Sequence, residues 1–322
     1  MRIGLIGASR IAPVAVIAPA AARPDVSVTA VAARDPTRAA EFANRYGVSS
    51  VSESYAALVQ RDDVDVVYCA LPAHGHPSVC ELALAAGKAV LMEKPFAADA
   101  DSARGMMDSA ARAGRPLIEA FHYRFHGQFE RALDLVRSGA LGRIRRADGV
   151  FDVAIPRSAG EFRWSQGPDG GALMDLGCYV IHALRTLLGS EPLLTGVDAD
   201  MEGDIDARLT AELKFGDVRA SAACSMIRPF FARLRLEGET GTMTLHDFVA
   251  PQRNGRLVLE TASGCFAEVA EGPSTYAAQL EHLVQVWRGD ALPITGGADA
   301  VANMIAIDAC REAARRKGGP HA

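Results

Sequence analysis

The sequence predicts an α/β protein in two parts: an N-terminal doubly wound parallel sheet, then a C-terminal α+β domain with a large, open-faced, mainly antiparallel sheet. Three observations carry this. The first 121 residues alternate short apolar runs with Ala- and Leu-rich stretches of helical period. Repeated βα units of that length build parallel sheets with helices on both faces. After Phe121 the rhythm changes to a series of strand-length runs with few helices between them, the pattern of an antiparallel sheet covered on one face. The length, 322 residues, suggests two domains of roughly 150 residues each, divided as 1–121 and 122–322.

In chain order, apolar strands are predicted at residues 3–6, 26–31, 64–70, 89–92 and 116–119. Between them a helix over 39–46 places Ala39, Phe42, Ala43 and Tyr46 on one face. A second helix over 79–86 stops at Gly87, and a third runs from Asp99, a natural N-cap, to Ala113 before Gly114. An amphipathic helix over 126–138 then leads into a long alternating run, 144–155, and an apolar helix over 173–188. Strands follow at 207–215, 219–226, 234–237, 242–245 and 257–260, and helices at 276–288 and 299–314 close the chain. The Gly-Gly-Pro tail at 318–320 is expected to fray.

Composition excludes several classes. A formal net charge of -5, with 49% hydrophobic and 23% charged residues, is that of an ordinary globular chain. The arginines are scattered without a basic face, which argues against nucleic acid as a partner. No apolar run approaches the roughly 20 residues of a membrane span. The chain opens directly on Arg2-Ile-Gly-Leu-Ile6 without a signal-peptide core, so a cytoplasmic location is expected. The six cysteines include no Cys-x-x-Cys pair. No metal site is expected, and the thiols read as small core residues.

Polar chemistry gathers where the predicted parallel strands end, which is where open α/β sheets bind ligands. The first strand runs into Gly7-Ala-Ser9-Arg10-Ile11-Ala12. Gly7 suits the tight turn, Ser9 stands where backbone must approach a pyrophosphate, and Ala12 where the helix packs on the strand. This is a degraded dinucleotide fingerprint. The second strand ends in Ala33-Arg34-Asp35. Arg34, helped by Arg38, suits the 2′-phosphate of NADP, whereas Asp35 suits the ribose hydroxyls of NAD. NADP(H) is the expected cofactor, with NAD(H) as the alternative. Glu93-Lys94-Pro95 follows the apolar run 89–92. Burying an unpaired ammonium there is costly, so Lys94 faces either solvent or a ligand.

These segments, together with Gly170-Gly-Ala-Leu-Met-Asp-Leu-Gly-Cys-Tyr179 and Ala298-Asp-Ala-Val-Ala-Asn-Met304, resemble the Gfo/Idh/MocA oxidoreductases. The resemblance spans nearly the whole chain. It is nearest to the branch holding dimeric dihydrodiol dehydrogenases, NADP-dependent xylose dehydrogenases and ketosugar reductases. It implies a Rossmann domain over 1–121 and a substrate-binding, oligomer-forming domain over 122–322 whose last helix packs back on the first. It also implies hydride transfer between a nicotinamide and a carbon bearing a hydroxyl or carbonyl.

Carried over residue by residue, the resemblance implies that Lys94 contacts the substrate oxygen. Asp175 matches the acid of the family's Asp-x-Gly-x-His element, and Tyr179 stands in place of its His as acid/base. A phenolate is favoured beside an ammonium, which suits proton transfer; the competing reading of Tyr179 is an amphipathic core residue. Leu71, Pro72 and His76, in Leu71-Pro-Ala-His-Gly-His76, are implied at the cofactor, with Glu93 and Lys94. The family usually carries Asn where this chain has Ala73, which removes one side-chain hydrogen bond near the nicotinamide ribose. Tyr123 and Arg124, in His122-Tyr-Arg-Phe-His126, are implied at the cofactor, Tyr123 also at the substrate. Arg157 and Trp164 are implied at the substrate, where an indole face suits sugar C–H surfaces. His182, one turn beyond Tyr179, reads as a hydrogen-bonded helix residue outside the catalytic set.

Two classes of function follow. One is an NADP(H)-dependent dehydrogenase or reductase acting on a small carbohydrate-like or cyclic polyol substrate, with ketosugar reduction as a narrower alternative. The other is an NADP-binding sensor or assembly protein without turnover. Lys94 together with Tyr179 favours the enzyme, since a sensor needs only the nucleotide site. A homodimer or homotetramer is expected, because runs such as 220–226 are too apolar to leave wet on an open sheet face.

Overall fold

The computed structural model describes residues 1–318; of the tail expected to fray, Gly318 ends the last helix and 319–320 lie outside the described residues. The chain forms two compact units, residues 1–121 with 276–301, and residues 122–275 with 302 onward. The first holds an all-parallel sheet of β1 (Arg2–Ile6), β2 (Ser27–Ala32), β3 (Ser50–Val51), β4 (Val66–Cys69), β5 (Ala89–Met92) and β6 (Leu117–Glu119), in the order β3-β2-β1-β4-β5-β6. The order reverses direction between β1 and β4, so their carboxyl ends open a crevice. Ile3, Leu5, Val66, Tyr68 and Leu91 are all within 1% of full burial, as a sheet covered on both faces requires.

The helices start and stop on local chemistry. Asp35 caps Pro36–Tyr46 by accepting from Thr37 N at 2.9 Å, and Asp99 caps Ala100–Ala113 by accepting from Ser102 N at 2.7 Å. Gly47 and Gly114 end them in the left-handed region. The helix Thr275–Arg288 packs Leu280, Leu283, Val284 and Val286 into the same core as Ile3, Leu5, Val31 and Val66. The boundary therefore differs from a single cut after residue 121. Helical period reveals a buried face but not which sheet that face covers.

The second unit holds eight strands: β7 (Ile144–Asp152), β8 (Leu193–Glu202), β9 (Ile205–Phe215), β10 (Val218–Ser225), β11 (Phe231–Gly238), β12 (Gly241–His246), β13 (Arg256–Thr261) and β14 (Gly264–Val269). Their order is β14-β13-β12-β11-β7-β10-β9-β8, and only β7 and β10 pair in parallel. One face buries Ala147, Leu209, Ala211, Ala220, Ala222, Leu234 and Leu236. Helix Cys178–Leu188 lies so close on this face that a Cβ at Gly149 would fall 2.3 Å from Val180 Cγ1.

The opposite face is not the apolar patch expected from the run 220–226. Ser221 alternates outward with Ala220 and Ala222 buried, and donates to Asp148 at 2.9 Å. Around it Arg146 pairs with Asp148 at 2.7 Å, Arg208 with Asp198 and Asp200 at 2.8 Å, and Arg235 with Glu237 at 2.6 Å. Sequence patterning does not reveal β8 or β14 because both are edge strands. β14 is exposed at every residue and β8 buries only Val197, so neither needs a sustained apolar stripe.

Five of the six cysteines are buried and none is in a disulfide, with Cys265 exposed on β14. No helix among the described residues is long and apolar enough to cross a membrane. Among those residues no group of three or more His, Cys, Asp or Glu side chains gathers as a metal site.

Asp206, at the start of β9, seats the second unit's central helix. It is 5% exposed, and its Oδ2 accepts from Leu173 N at 2.7 Å. Gly171 above it sits at φ +103°, where an added Cβ would fall 1.9 Å from Asp206 Oδ1, so no other residue fits. Burial pushes the Asp206 carboxyl up to about 7, against the pull of the Leu173 N–H. Between about pH 4 and 7 the folded protein therefore keeps a proton that the unfolded chain has released. Its contribution to stability falls across that window by up to about 1.4 kcal/mol per pH unit and levels off above it. Asp206→Asn does not titrate. Its thermal midpoint is expected to rise relative to wild type as pH increases from 4.5 to 7, and a pH-independent difference would refute this.

Candidate active site

In the first unit the chemistry lies at the carboxyl ends of the parallel strands. β1 ends at Gly7, whose φ is +102° and whose N donates to Ala32 O at 2.8 Å. A Cβ there would sit 3.0 Å from the Ala70 carbonyl oxygen, so β1 turns against β4 only with glycine. Ser9 Oγ accepts from Ala12 N at 3.2 Å, which fixes the turn, and Ala12 is fully buried. Ile11 is half-buried and Arg10 exposed. Arg34 and Arg38 are exposed beyond the tip of β2. Asp35 beside them is the helix cap described above. Its carboxylate is engaged by Thr37 N and Arg38 N, which weighs against Asp35 as the ribose acid.

The ends of β4 and β5 are stiffened by internal bonds. Tyr68 donates to Glu93 Oε1 at 2.6 Å, and Lys94 N donates to Glu93 Oε2 at 3.2 Å. Burial, with the Glu93 charge beside it, pushes the Tyr68 phenol well above its ordinary range. The Lys94–Pro95 peptide is cis, and Lys94 itself is half-buried. His76 is fully buried, with its ring nitrogens 2.9 Å from Leu71 O and 3.0 Å from Phe96 O. It holds the Leu71-Pro72 turn to the segment after Pro95. The side chain thus serves the framework around the turn.

In the second unit Tyr179 and Tyr123 come together. Their ring centroids are 5.9 Å apart, and Phe151 meets Tyr179 edge-on at 5.5 Å. Tyr179 is 5% exposed and its Oη lies 3.2 Å from His122 Nε2. Tyr123, fully buried, has its Oη 2.5 Å from His182 Nδ1 and packs on Phe129 and Phe248 at 4.8 and 5.4 Å. Asp175 precedes Tyr179 by one turn, in the π-turn Leu173–Gly177 that opens the helix. Its Oδ2 accepts from Arg163 Nε at 2.7 Å, and Arg163 Nη1 donates to the buried Glu161 at 2.8 Å.

The remaining expected residues fall into two local pairs. Arg157 stacks 3.9 Å over the Trp164 ring and is paired with Glu202, while Trp164 Nε1 donates to Ile155 O at 3.0 Å. Arg124 pairs with Glu130 and lies 5.7 Å from the Phe129 ring. His182, expected to be a hydrogen-bonded helix residue, is bonded to Tyr123, while His122 was given no role of its own. His182 follows Tyr179 by three residues on one helix, the spacing at which helical side chains are neighbours; His122 carries no such local signal.

The comparisons with known proteins agree with this geometry. Residues 1–121 match the description "Oxidoreductase family, NAD-binding Rossmann fold", and residues 129–244 match "GFO/IDH/MocA C-terminal domain". A dTDP-3,4-didehydro-2,6-dideoxy-alpha-D-glucose 3-reductase of Streptomyces violaceoruber is 36% identical over 80% of this chain and 76% of its own. A D-xylose 1-dehydrogenase (NADP(+)) of Haloferax volcanii is 30% identical over 98% and 97%. The crystal structure of a 3-ketoreductase from Actinomadura kijaniata, in complex with NADP and TDP-benzene, superposes with a TM-score of 0.89 at 29% identity, covering 97% of each chain. That enzyme has also been solved with a tyrosine changed to phenylalanine and with a lysine changed to alanine or glutamate. Fold, strand-end chemistry and relatives converge, and the chain belongs to the Gfo/Idh/MocA family of oxidoreductases.

Proposed function

We propose that the protein is an NADP(H)-dependent oxidoreductase moving a hydride between the nicotinamide and a secondary alcohol or ketone carbon of a sugar, sugar derivative or cyclic diol. The observation that carries this reading is the Tyr179 hydroxyl, buried among aromatic rings yet held at 3.2 Å by His122. A buried phenol needs a partner in any setting; here the partner is a titratable imidazole, which suits a hydroxyl that gives and takes a proton. Gly7, Ser9 and the turn they form would hold the pyrophosphate, and Arg34 with Arg38 the 2′-phosphate. The cofactor supplies or receives the hydride.

In this reading Lys94 orients the substrate oxygen and stabilises negative charge developing on it. Tyr179 gives that oxygen its proton in reduction and takes it in oxidation. Asp175, tied to Arg163, holds the turn ahead of Tyr179 and the substrate-side wall. The aromatic walls around Tyr123 and Trp164 suit the apolar faces of a sugar ring. Ketosugar reduction is the narrower reading, supported by the 3-reductase and 3-ketoreductase activities of the relatives. A homodimer or homotetramer is part of the proposal. It is supported by the exposed Phe266 and Val269 on β14 and Leu193 on β8, which leave apolar groups at both sheet edges.

Lys94→Met and Tyr179→Phe are each expected to lower turnover by about 10²–10⁴-fold, the range for losing a positioned acid/base or its partner. The nucleotide dissociation constant should change far less. Absorbance of the reduced nicotinamide, followed with a panel of aldoses, ketosugars and cyclic diols, checks this; full activity of both variants would sink the mechanism. Arg34→Ala should weaken NADP(H) by about ten- to a hundredfold, the worth of one charged hydrogen-bonded contact. Equal or tighter NAD(H) binding by wild type in the same titration would reverse the cofactor preference. Light scattering at micromolar protein should return a multiple of the 34.1 kDa chain mass, and a monomer mass would remove the assembly from the proposal.

A further inference from the structure

A line of buried hydrogen bonds leads from the Tyr179 hydroxyl to a residue that no role above uses. Tyr179 Oη lies 3.2 Å from His122 Nε2, and His122 Nδ1 lies 2.8 Å from Thr275 Oγ1. The three residues are 5%, 5% and 0% exposed. A neutral imidazole carries one N–H and one bare nitrogen, whereas a hydroxyl can give or take. The tautomer of His122 is therefore set by its partner at Nδ1. A carbonyl there would force Nδ1–H and leave Nε2 able only to accept from the phenol. A threonine hydroxyl can donate to Nδ1, which places the hydrogen on Nε2, directed at the tyrosine oxygen. With His122 donating, the phenolic proton is not committed to His122 and can pass to a substrate oxygen. The same N–H then meets the phenolate once that proton has gone.

We propose that His122, held in its Nε2–H form by Thr275, is the positioning residue for Tyr179: it donates to the tyrosine oxygen, leaves its proton free for the substrate and favours its phenolate. This rests on the reading of Tyr179 as the acid/base. Other titratable groups on the surrounding elements are engaged elsewhere or carried on other lines. Tyr123 is bonded to His182, Arg124 is paired with Glu130, and Asp175 with Arg163. Asp152 follows Phe151 on β7, and burial raises its pKa.

The experiment is the pH dependence of kcat for wild type, His122→Phe, His122→Gln, Thr275→Val and Tyr179→Phe, with saturating NADP(H) and the best substrate of the panel. His122→Phe keeps a ring and removes the donor. The limb that reports Tyr179 should move to higher pH by about one unit, the size of one hydrogen bond to a charged group. Thr275→Val, which removes only a hydroxyl, should move it the same way by less. His122→Gln, whose amide can donate, should move it back toward wild type. If His122→Phe does not fold, Thr275→Val and His122→Gln carry the test. Wild-type limbs in these variants, with Tyr179→Phe inactive, would overturn this inference and leave the acid/base reading standing. Wild-type turnover in Tyr179→Phe would overturn both.

Discussion

The burial of Asp206 beneath a glycine turn is the constraint on which the second unit's chemistry depends. The carboxyl occupies space that any side chain at residue 171 would need, and it takes the first backbone N–H of the helix that follows. That helix opens as a π-turn and then lies directly on the sheet. A Cβ at Gly177 would come within 2.9 Å of Cys224 Sγ on β10, and one at Gly149 on β7 within 2.3 Å of Val180. Tyr179 stands between these two close approaches. Its backbone is pinned on both sides, so the phenol's position follows from where small residues let helix and sheet touch. Single-turn π-helices recur at functional sites because they re-aim the side chains that follow; here they do so one turn before Tyr179.

The first unit solves a different problem. Its central strands are buried on both faces, so their polar side chains gather where the strands end. Glu93 accepts from Tyr68, and His76 spans two carbonyls. These bonds stiffen the crevice where β1 and β4 diverge. A preorganised loop of this kind spends less ordering entropy when a ligand arrives. The two units thus hold their polar groups by different means: one by bonds among loops at strand ends, the other by close helix-on-sheet packing.

Much of this was legible in the sequence, and the exceptions have physical causes. Five of the six parallel strands were readable because each is a short apolar run between helical segments; β3, two residues at the sheet edge, was not. The edge strands β8 and β14 were not, because an edge is not obliged to be apolar. Asp35 was read only as a nucleotide ligand, and the structure makes it a helix cap. The following Pro36 at the first helical position is the local mark of a cap, and the structure follows it. Arg124 shows the opposite limit: its partner Glu130 lies six residues on, across the start of a new helix, where no simple spacing rule applies. His122 reaches Tyr179 across 57 residues and Thr275 across 153, separations at which pattern carries no information. The open sheet face was misjudged because the buried Ala220, Ala222 and Cys224 dominate the run, while Ser221 and Ala223 point to the charged side.

The chain passes between the two units three times, because residues 276–301 return to the first. On the ribosome this has a cost in timing. When the first 121 residues have emerged they possess every strand of their sheet. They still lack Leu280, Leu283, Val284 and Val286, which close its core. The nucleotide-binding half must wait, partly uncovered, until the whole of the other sheet has been made. Domains that are contiguous in sequence fold in order during synthesis; this one is completed late, and its nascent form exposes apolar surface for most of translation. A shortened chain that stops at the apparent end of the Rossmann sheet inherits the same uncovered face permanently.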